Sequence, residues 1–503
     1  MTGRRRDKYV RSHDINTSRR DRIPMARTFT QKLSAELDPT AEGLVHLYAE
    51  FSLHSNLRSI TLSFPDYLGA EELRGFSQSQ RHQCEWDGAT QNPWIRFRYD
   101  VNRTNAGGYE FVDTGSWALL KYPPINTSWK YTGGRVELDR QYDIRQDGIV
   151  SSDGSIVYLG PHREESFRAG GQRFRIAIPT NASLRASLAD VCASLSFAAE
   201  NLDVGGKNDE VIVVVAPSNI NWGWGGLQSG VNGFWAVDSS YVDHANNTWI
   251  HEYVHTRQEW DRDQSTRWLI EGTTNYYAAL LTFLDGRVSF SAFHRYLETD
   301  RHANSVLVDP GRWTSPNAYY TKGRRVTAAL DAKIRRETGG SKTFEDVFRR
   351  INRVDGSLTH GKLKTAIRNV VGHGLEDWLA TYVEQSRVPD VPTEEALFTG
   401  DTVSVPEPEP EVEETEPEEE DEVEIEIEVD DCPVCGAAVE SDQQFCAACG
   451  TALFRQCPVC GRGVTDEPYC PECGTAIQEE CDVCGHRQHS SEEYCPKCGT
   501  KFG

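Results

Sequence analysis

No stretch of the sequence reaches eighteen consecutive apolar residues, which excludes a helix long enough to cross a bilayer. The N-terminal segment MTGRRRDKYVRSHD is basic, but no apolar run follows it or the twin arginines at Arg4-Arg5 and Arg19-Arg20. A secretory leader is therefore not expected, and a cytoplasmic location is. Lysine is scarce, 12 against 41 arginines. Cysteine is nearly absent outside the tail: of 14, only Cys84 and Cys192 precede residue 432. All of the others fall into CxxC pairs, which points to thiolate metal ligands in a reducing compartment and away from disulfides. Basic residues are missing altogether from 401–431, where 17 acidic residues lie, while 432–503 hold ten acidic and five basic residues. The net charge of −23 thus belongs to the tail, and residues 1–400 are left at −1. The −5 of the cysteine-rich tail, beside the −17 segment before it, opposes phosphate binding, so nucleic acid is not an expected partner.

What is present suffices for a large core: 38% hydrophobic residues, with 12 Trp, 19 Tyr and 19 Phe. Residues 1–35 are polar and arginine-rich, and are expected to be a disordered basic N-terminus. From 36 to 168 the pattern is β, with Val45, Leu47, Ala49, Phe51 and Leu53, then Ile60, Leu62 and Phe64, then Ile95, Phe97, Tyr99 and Val101 at alternate positions. Turn signals separate these runs, which predicts an antiparallel β-sandwich. Between 169 and 390 the periods mix. Phe174, Ile176 and Ile178 predict a strand; Leu184, Leu188, Val191 and Leu195 share a helical face; Val211–Ala216 is a continuous apolar run for a fully buried strand; residues 234–242 suit an edge strand; helical patterns follow to about Gln385. This is an α+β domain with a helical C-terminal part. Residues 391–431 are predicted to be an acidic, disordered linker.

The segment His251-Glu252-Tyr253-Val254-His255 places two imidazoles at i and i+4, on one face of a helix that Asn246 or Asn247 is positioned to cap. Such a pair can hold one zinc ion, with Glu252 within reach of a water beside it. Two histidines on a surface helix are the plain alternative. Fifteen residues separate His255 from Glu271 in Trp268-Leu269-Ile270-Glu271-Gly272. A carboxylate inside an apolar helix start needs a partner if buried, and a zinc ion is one.

These motifs resemble the gluzincin zinc metallopeptidases, in particular the aminopeptidase-N-like and glycyl-aminopeptidase-like groups. Trp268, Leu269, Glu271, Gly272 and Tyr276 match the family's second helix in order, although the loop before it is a few residues shorter here. The resemblance implies a thermolysin-like metallopeptidase domain behind a β-sandwich. It implies a catalytic zinc on His251, His255 and Glu271, Glu252 as general base, and peptide-bond hydrolysis of a peptide or protein substrate. Tyr320-Thr321-Lys322-Gly323 resembles a further family element, in which the Tyr hydroxyl, here that of Tyr320, stabilises the oxyanion. Gly226 and Gln228, within Gly225-Gly226-Leu227-Gln228, stand where the aminopeptidases have a glycine-rich substrate strand bearing a Glu for the free amino group. Gln228 cannot supply that ion pair. Aminopeptidase and endopeptidase activities both remain open.

The tail carries an internal repeat. Cys432, Cys435, Cys446 and Cys449 form one set; Cys457, Cys460, Cys470 and Cys473 a second; Cys481, Cys484, Cys495 and Cys498 a third. Nine or ten residues separate the pairs within each set, and Gly follows every second cysteine. Three structural zinc ribbons are predicted, each with four thiolates closing its metal, so three structural zinc ions join the catalytic one. Their acidity makes protein recognition the expected role. The rival reading is a catalytically inactive peptidase fold serving as scaffold for ribbons that bind a protein partner. A hydrolase acting on esters or epoxides would use the same residues.

Overall fold

The computed structural model describes residues 27–105, 107–299 and 301–400, with the strand segments 8–11, 455–456, 463–464, 478–480 and 487–489. It divides into two compact units. One comprises Met1–Val242, Asn247–Thr266 and Glu345–Ala366; the other comprises Asp243–Asn246, Arg267–Phe344 and the chain from Ile367 onward.

The first unit is β-rich. One five-stranded sheet runs in the order Val136–Ile144, Arg27–Leu37, Leu44–Ser52, Trp94–Asp100, Leu68–Arg74. Another runs Lys8–Arg11, Asn126–Tyr131, Leu57–Ser63, Gln83–Trp86, Phe76–Gln80. A four-stranded sheet of short strands between Val112 and Leu159 completes this part. The alternation seen in the sequence is the alternation of burial. Val45, Leu47, Ala49 and Phe51 face the core, as do Ile60, Leu62, Phe64, Ile95, Phe97 and Tyr99.

Three expectations are corrected. Residues 27–35 are not disordered: Arg27–Leu37 is an interior strand of a sheet, with Phe29, Leu33 and Ala35 buried. Gln31 concealed the period-2 pattern by occupying a core position. It is fully buried, and its Oε1 accepts hydrogen bonds from Thr127 Oγ1 and Arg140 Nε, both at 3.1 Å. The β region is also not wholly antiparallel, because Val136–Ile144 pairs with Arg27–Leu37 in parallel. Third, residues 391–400 belong to the folded body. Val391, Leu397 and Phe398 are buried, and the Phe398 ring lies 5.2 Å from that of Phe293. The rest of the acidic segment, 401–431, lies outside the described residues, as do 1–7 and 12–26.

A mixed five-stranded sheet follows in the same unit, ordered His162–Ala169, Gln172–Pro179, Glu210–Ala216, Gly233–Val237, Gly226–Gln228. The continuous apolar run of Glu210–Ala216 is explained by its central place, paired in parallel with a strand on each side. Gly233–Val237 is interior, not the edge strand expected at 234–242; the three-residue strand Gly226–Gln228 lies beyond it, antiparallel. Ala177, Ile212, Val214, Ala216 and Trp235 are continuous with the buried cluster of the β-sandwich, so the sandwich and this sheet share one core. Helix α1 (Leu188–Asn201) is capped by Ser187, whose side chain accepts from the Asp190 amide. Helix α2 (Thr248–His255) also belongs to this unit.

The second unit is helical. Helix α3 (Trp268–Leu284) is buried at nearly every position, which accounts for its lack of a polar face. It is followed by α4 (Phe290–Leu297) and crosses α5 (Ala318–Glu337) at two glycines. A Cβ on Gly272 would lie 2.9 Å from the Gly323 carbonyl carbon, so only glycine permits the two backbones to meet there. Tyr276 of α3 donates its hydroxyl hydrogen to Asp331 of α5, which also accepts from Arg335 Nε at 2.8 Å.

Candidate metal centre

Asn247 caps α2. Its Oδ1 accepts from the amides of Trp249 and Ile250 at 3.1 and 3.3 Å. Its Nδ2 donates to Ser194 Oγ and the Val242 carbonyl at 3.0 and 3.2 Å. Trp249, Ile250, Tyr253 and Val254 turn inward and leave no exposure. His251 and His255 stay half-buried on the remaining face, with ring centroids 4.9 Å apart and planes crossing at 80°.

Two residues outside the motif hold the C-terminal end of this helix. Gln258 Oε1 lies 3.1 Å from His255 Nδ1, where an Nδ1–H can donate to it and leave Nε2 available as a ligand atom. Arg257 is fully buried. Its guanidinium donates to the carbonyls of Leu202, Gly205 and Gly206 and to the Tyr253 hydroxyl, all between 3.1 and 3.3 Å. The Tyr253 hydroxyl donates in turn to Gln172 Oε1 at 2.7 Å, and burial raises its pKa. Gln258 had a signal, since it lies only three positions after His255, just past the helix end. Arg257 had none, because its partners are carbonyls some fifty residues away.

Glu252 is only 5% exposed. The edge strand Gly226–Gln228 passes directly over it: a Cβ on Gly226 would stand 2.8 Å from Glu252 Cγ and Oε1 and from Thr248 Cγ2. Gly226 is thus the residue that lets strand and carboxylate meet. In Gly226→Ala one of them must shift. Gln228, half-buried, is paired opposite Phe234 on the same strand. The loop that enters this strand is fastened to the β-sandwich. The Tyr109 amide donates to the Asn221 carbonyl at 2.8 Å, and the Gly223 amide to the Tyr109 carbonyl at 3.0 Å. A Cβ on Gly108 would fall 2.4 Å from the Gly223 nitrogen. The indole of Trp222, in this loop, lies 4.7 Å from that of Trp235.

Glu271 lies in the first turn of α3, where the helix dipole favours a carboxylate. It is half-buried beside Trp268, Leu269 and Ile270. His251, His255 and Glu271 each offer a ligand atom, and these atoms lie within 4.8 Å of one another. Among the described residues they form the one group of three or more His, Cys, Asp or Glu side chains that converges in this way. Two imidazoles and a carboxylate suit a zinc ion with a coordination position to spare.

Tyr320 lies in the first turn of α5, its ring 4.6 Å from that of Tyr319. Two residues on, Lys322 is buried, and its ammonium donates to the carbonyls of Ser305 and Gln385 at 2.7 and 3.1 Å. Burial pushes its pKa down to about 8. These contacts fix the segment that presents Tyr320.

Cys84 is buried and Cys192 half-buried; both are free, with thiol pKa values pushed up to about 11 by burial, and neither joins a metal group. The twelve cysteines of the tail lie outside the described residues. Two short antiparallel pairs are described there, Arg455–Gln456 with Gly463–Val464 and Gln478–Glu480 with Arg487–His489. They flank Cys457/Cys460 and Cys481/Cys484 in sequence.

Residues 432–468 match the double zinc ribbon family, a segment that includes the first four-cysteine set and the first pair of the second. A double zinc ribbon domain is therefore present near the C-terminus. No curated protein matches the chain in sequence. Similar solved structures are zinc metallopeptidases and aminopeptidases. An aminopeptidase N family protein from Idiomarina loihiensis is 14% identical, with 71% of this chain and 76% of that chain covered and a TM-score of 0.49. The M1 zinc metallopeptidase from Deinococcus radiodurans, in a mutant bound to a Tyr-Ser-Ala substrate, is 12% identical, with coverages of 73% and 95% and a TM-score of 0.46. Aminopeptidase A from Legionella pneumophila, in complex with aspartic acid, is 12% identical, with coverages of 72% and 49% and a TM-score of 0.42.

Proposed function

We propose that this protein is a zinc-dependent peptidase whose metal is held by His251, His255 and Glu271 and whose general base is Glu252. The observation that carries the reading is the convergence of those three ligand atoms to within 4.8 Å. When bound, zinc would polarise the scissile carbonyl and lower the pKa of an attacking water. Glu252, buried under the edge strand, takes the water's proton and returns one to the leaving amine. The Tyr320 hydroxyl donates a hydrogen bond to the developing oxyanion. Gln258 orients the His255 ring, and Arg257 fixes the helix that carries both histidines.

The strand Gly226–Gln228 is the substrate strand in this reading. Its outer edge is unpaired within its sheet, and its amides and carbonyls suit an extended peptide. Gln228 offers an amide that a peptide of either kind can hydrogen-bond, not a carboxylate that selects a free amino group. Endopeptidase activity is therefore favoured over strict aminopeptidase activity. The ribbons, with their acidic linker, serve to recognise a protein and hold it near the site. Three structural zinc ions in the tail and one catalytic zinc complete the assignment.

The test is hydrolysis of a defined peptide mixture by the zinc-replete full chain, read by mass spectrometry, with each peptide supplied free and N-acetylated. Cleavage abolished by a chelator and restored by zinc is expected, with acetylated peptides cut within a few-fold of the free ones. No cleavage of any peptide by folded, zinc-loaded protein would favour the inactive scaffold.

A further inference from the structure

Arg267 stands at the N-terminal boundary of α3 in helical conformation, and its side chain caps no amide there. Four positions separate it from Glu271, so the two side chains share a helical face. The guanidinium lies 5.8 Å from the ring centroid of Trp313 and 6.0 Å from that of Tyr319. Those rings stack on each other 5.2 Å apart with planes only 22° off parallel, and Tyr319 borders Tyr320. Arg267 is exposed, and among the described residues no carboxylate pairs with it. Several other arginines of the chain are paired with carboxylates: Arg96 with Glu72 at 2.7 Å, Arg175 with Glu164 at 2.7 Å, Arg145 with Glu50 at 2.9 Å. Here an aromatic plate takes the place of an acidic partner. It holds the guanidinium by its quadrupole and leaves N–H donors for a ligand.

We propose that Arg267, on the Trp313–Tyr319 plate, is a carboxylate-binding subsite one helical turn from Glu271, and that it selects peptides bearing a carboxylate. The partner is an acidic side chain or a peptide C-terminus, since both present two oxygens to the planar fork. The inference rests on the peptidase reading for its substrate, but its test does not depend on turnover.

The experiment measures peptide binding to zinc-loaded, full-length protein carrying Glu252→Gln, by calorimetry, with and without Arg267→Gln or Arg267→Lys. Four matched peptides are used: internal Asp or Asn, and C-terminal acid or amide. The expected result is a preference of about tenfold for a carboxylate, lost in Arg267→Gln and partly kept in Arg267→Lys, with the neutral peptide bound equally by all three. Preference in the Asp/Asn pair assigns an acidic side chain, and preference in the acid/amide pair assigns the C-terminus. Equal binding of acid and neutral peptides by the Glu252→Gln protein, or no binding at all, overturns the subsite whether or not Arg267→Gln folds. If wild type cleaves nothing while the carboxylate preference is present, the subsite stands and the peptidase reading fails.

Discussion

Glu252→Gln is expected to keep its zinc and lose turnover by roughly 10²–10⁴-fold. The substitution preserves volume, so the edge strand, which passes so near that a Cβ on Gly226 would stand 2.8 Å from this side chain, need not move. It removes the carboxylate that accepts the proton. Binding of an uncleaved peptide is expected to remain within a few-fold, because the substrate strand and the ligands are untouched. The measurement pairs initial rates with zinc content and with peptide affinity. A variant that keeps full turnover would show that the proton leaves by another route, and the role given to Glu252 would be wrong. A variant that loses its zinc would show that Glu252 holds the site together and does not act chemically.

The second large effect is on stability. Arg257→Ala removes a fully buried guanidinium that satisfies three carbonyls and a tyrosine hydroxyl. The Leu202 carbonyl and the Tyr253 hydroxyl are buried with it, and the side chain leaves a cavity besides. A loss of roughly 3–5 kcal/mol is expected, because unsatisfied buried acceptors and lost packing add here. The check is urea unfolding, where the midpoint should fall at an unchanged slope. Arg257→Lys is expected to recover only part, since one ammonium cannot reach the carbonyls on both sides of the fork. A loss under about 1 kcal/mol in Arg257→Ala would mean that the loop at 202–206 relaxes to satisfy itself.

The candidate metal site, three side chains that converge, was legible because its pattern is local. His251, Glu252 and His255 fall within one helical turn and a half, and Glu271 stands in a helix start whose neighbours are all apolar. Those signals need no knowledge of tertiary contacts. The sandwich was legible where alternation was clean, as along Val45, Leu47, Ala49 and Phe51. It was missed at Arg27–Leu37, because Gln31 is a polar residue in a core position, satisfied by Thr127 and Arg140 from distant strands. The same reason hid Arg257, a charge that finds backbone carbonyls in place of water. Gly226 was singled out by its place in a motif, but its need for glycine appears only when Glu252 is seen beneath it. Residues 391–400 were assigned to the linker from the proline and acid around them. Leu397 and Phe398 are too few to form a visible period, and the partners that bury them, Phe290 and Phe293, lie about a hundred residues earlier.

The most direct test of the metal centre is zinc per chain in the full-length protein, compared with His251→Ala and with Glu271→Ala, each verified as folded by circular dichroism. The ribbons contribute equally to all three proteins, so they cancel in the comparison. Each variant is expected to hold one zinc fewer than wild type. Equal zinc in all three folded proteins would contradict the centre at His251, His255 and Glu271, and with it the proposed chemistry.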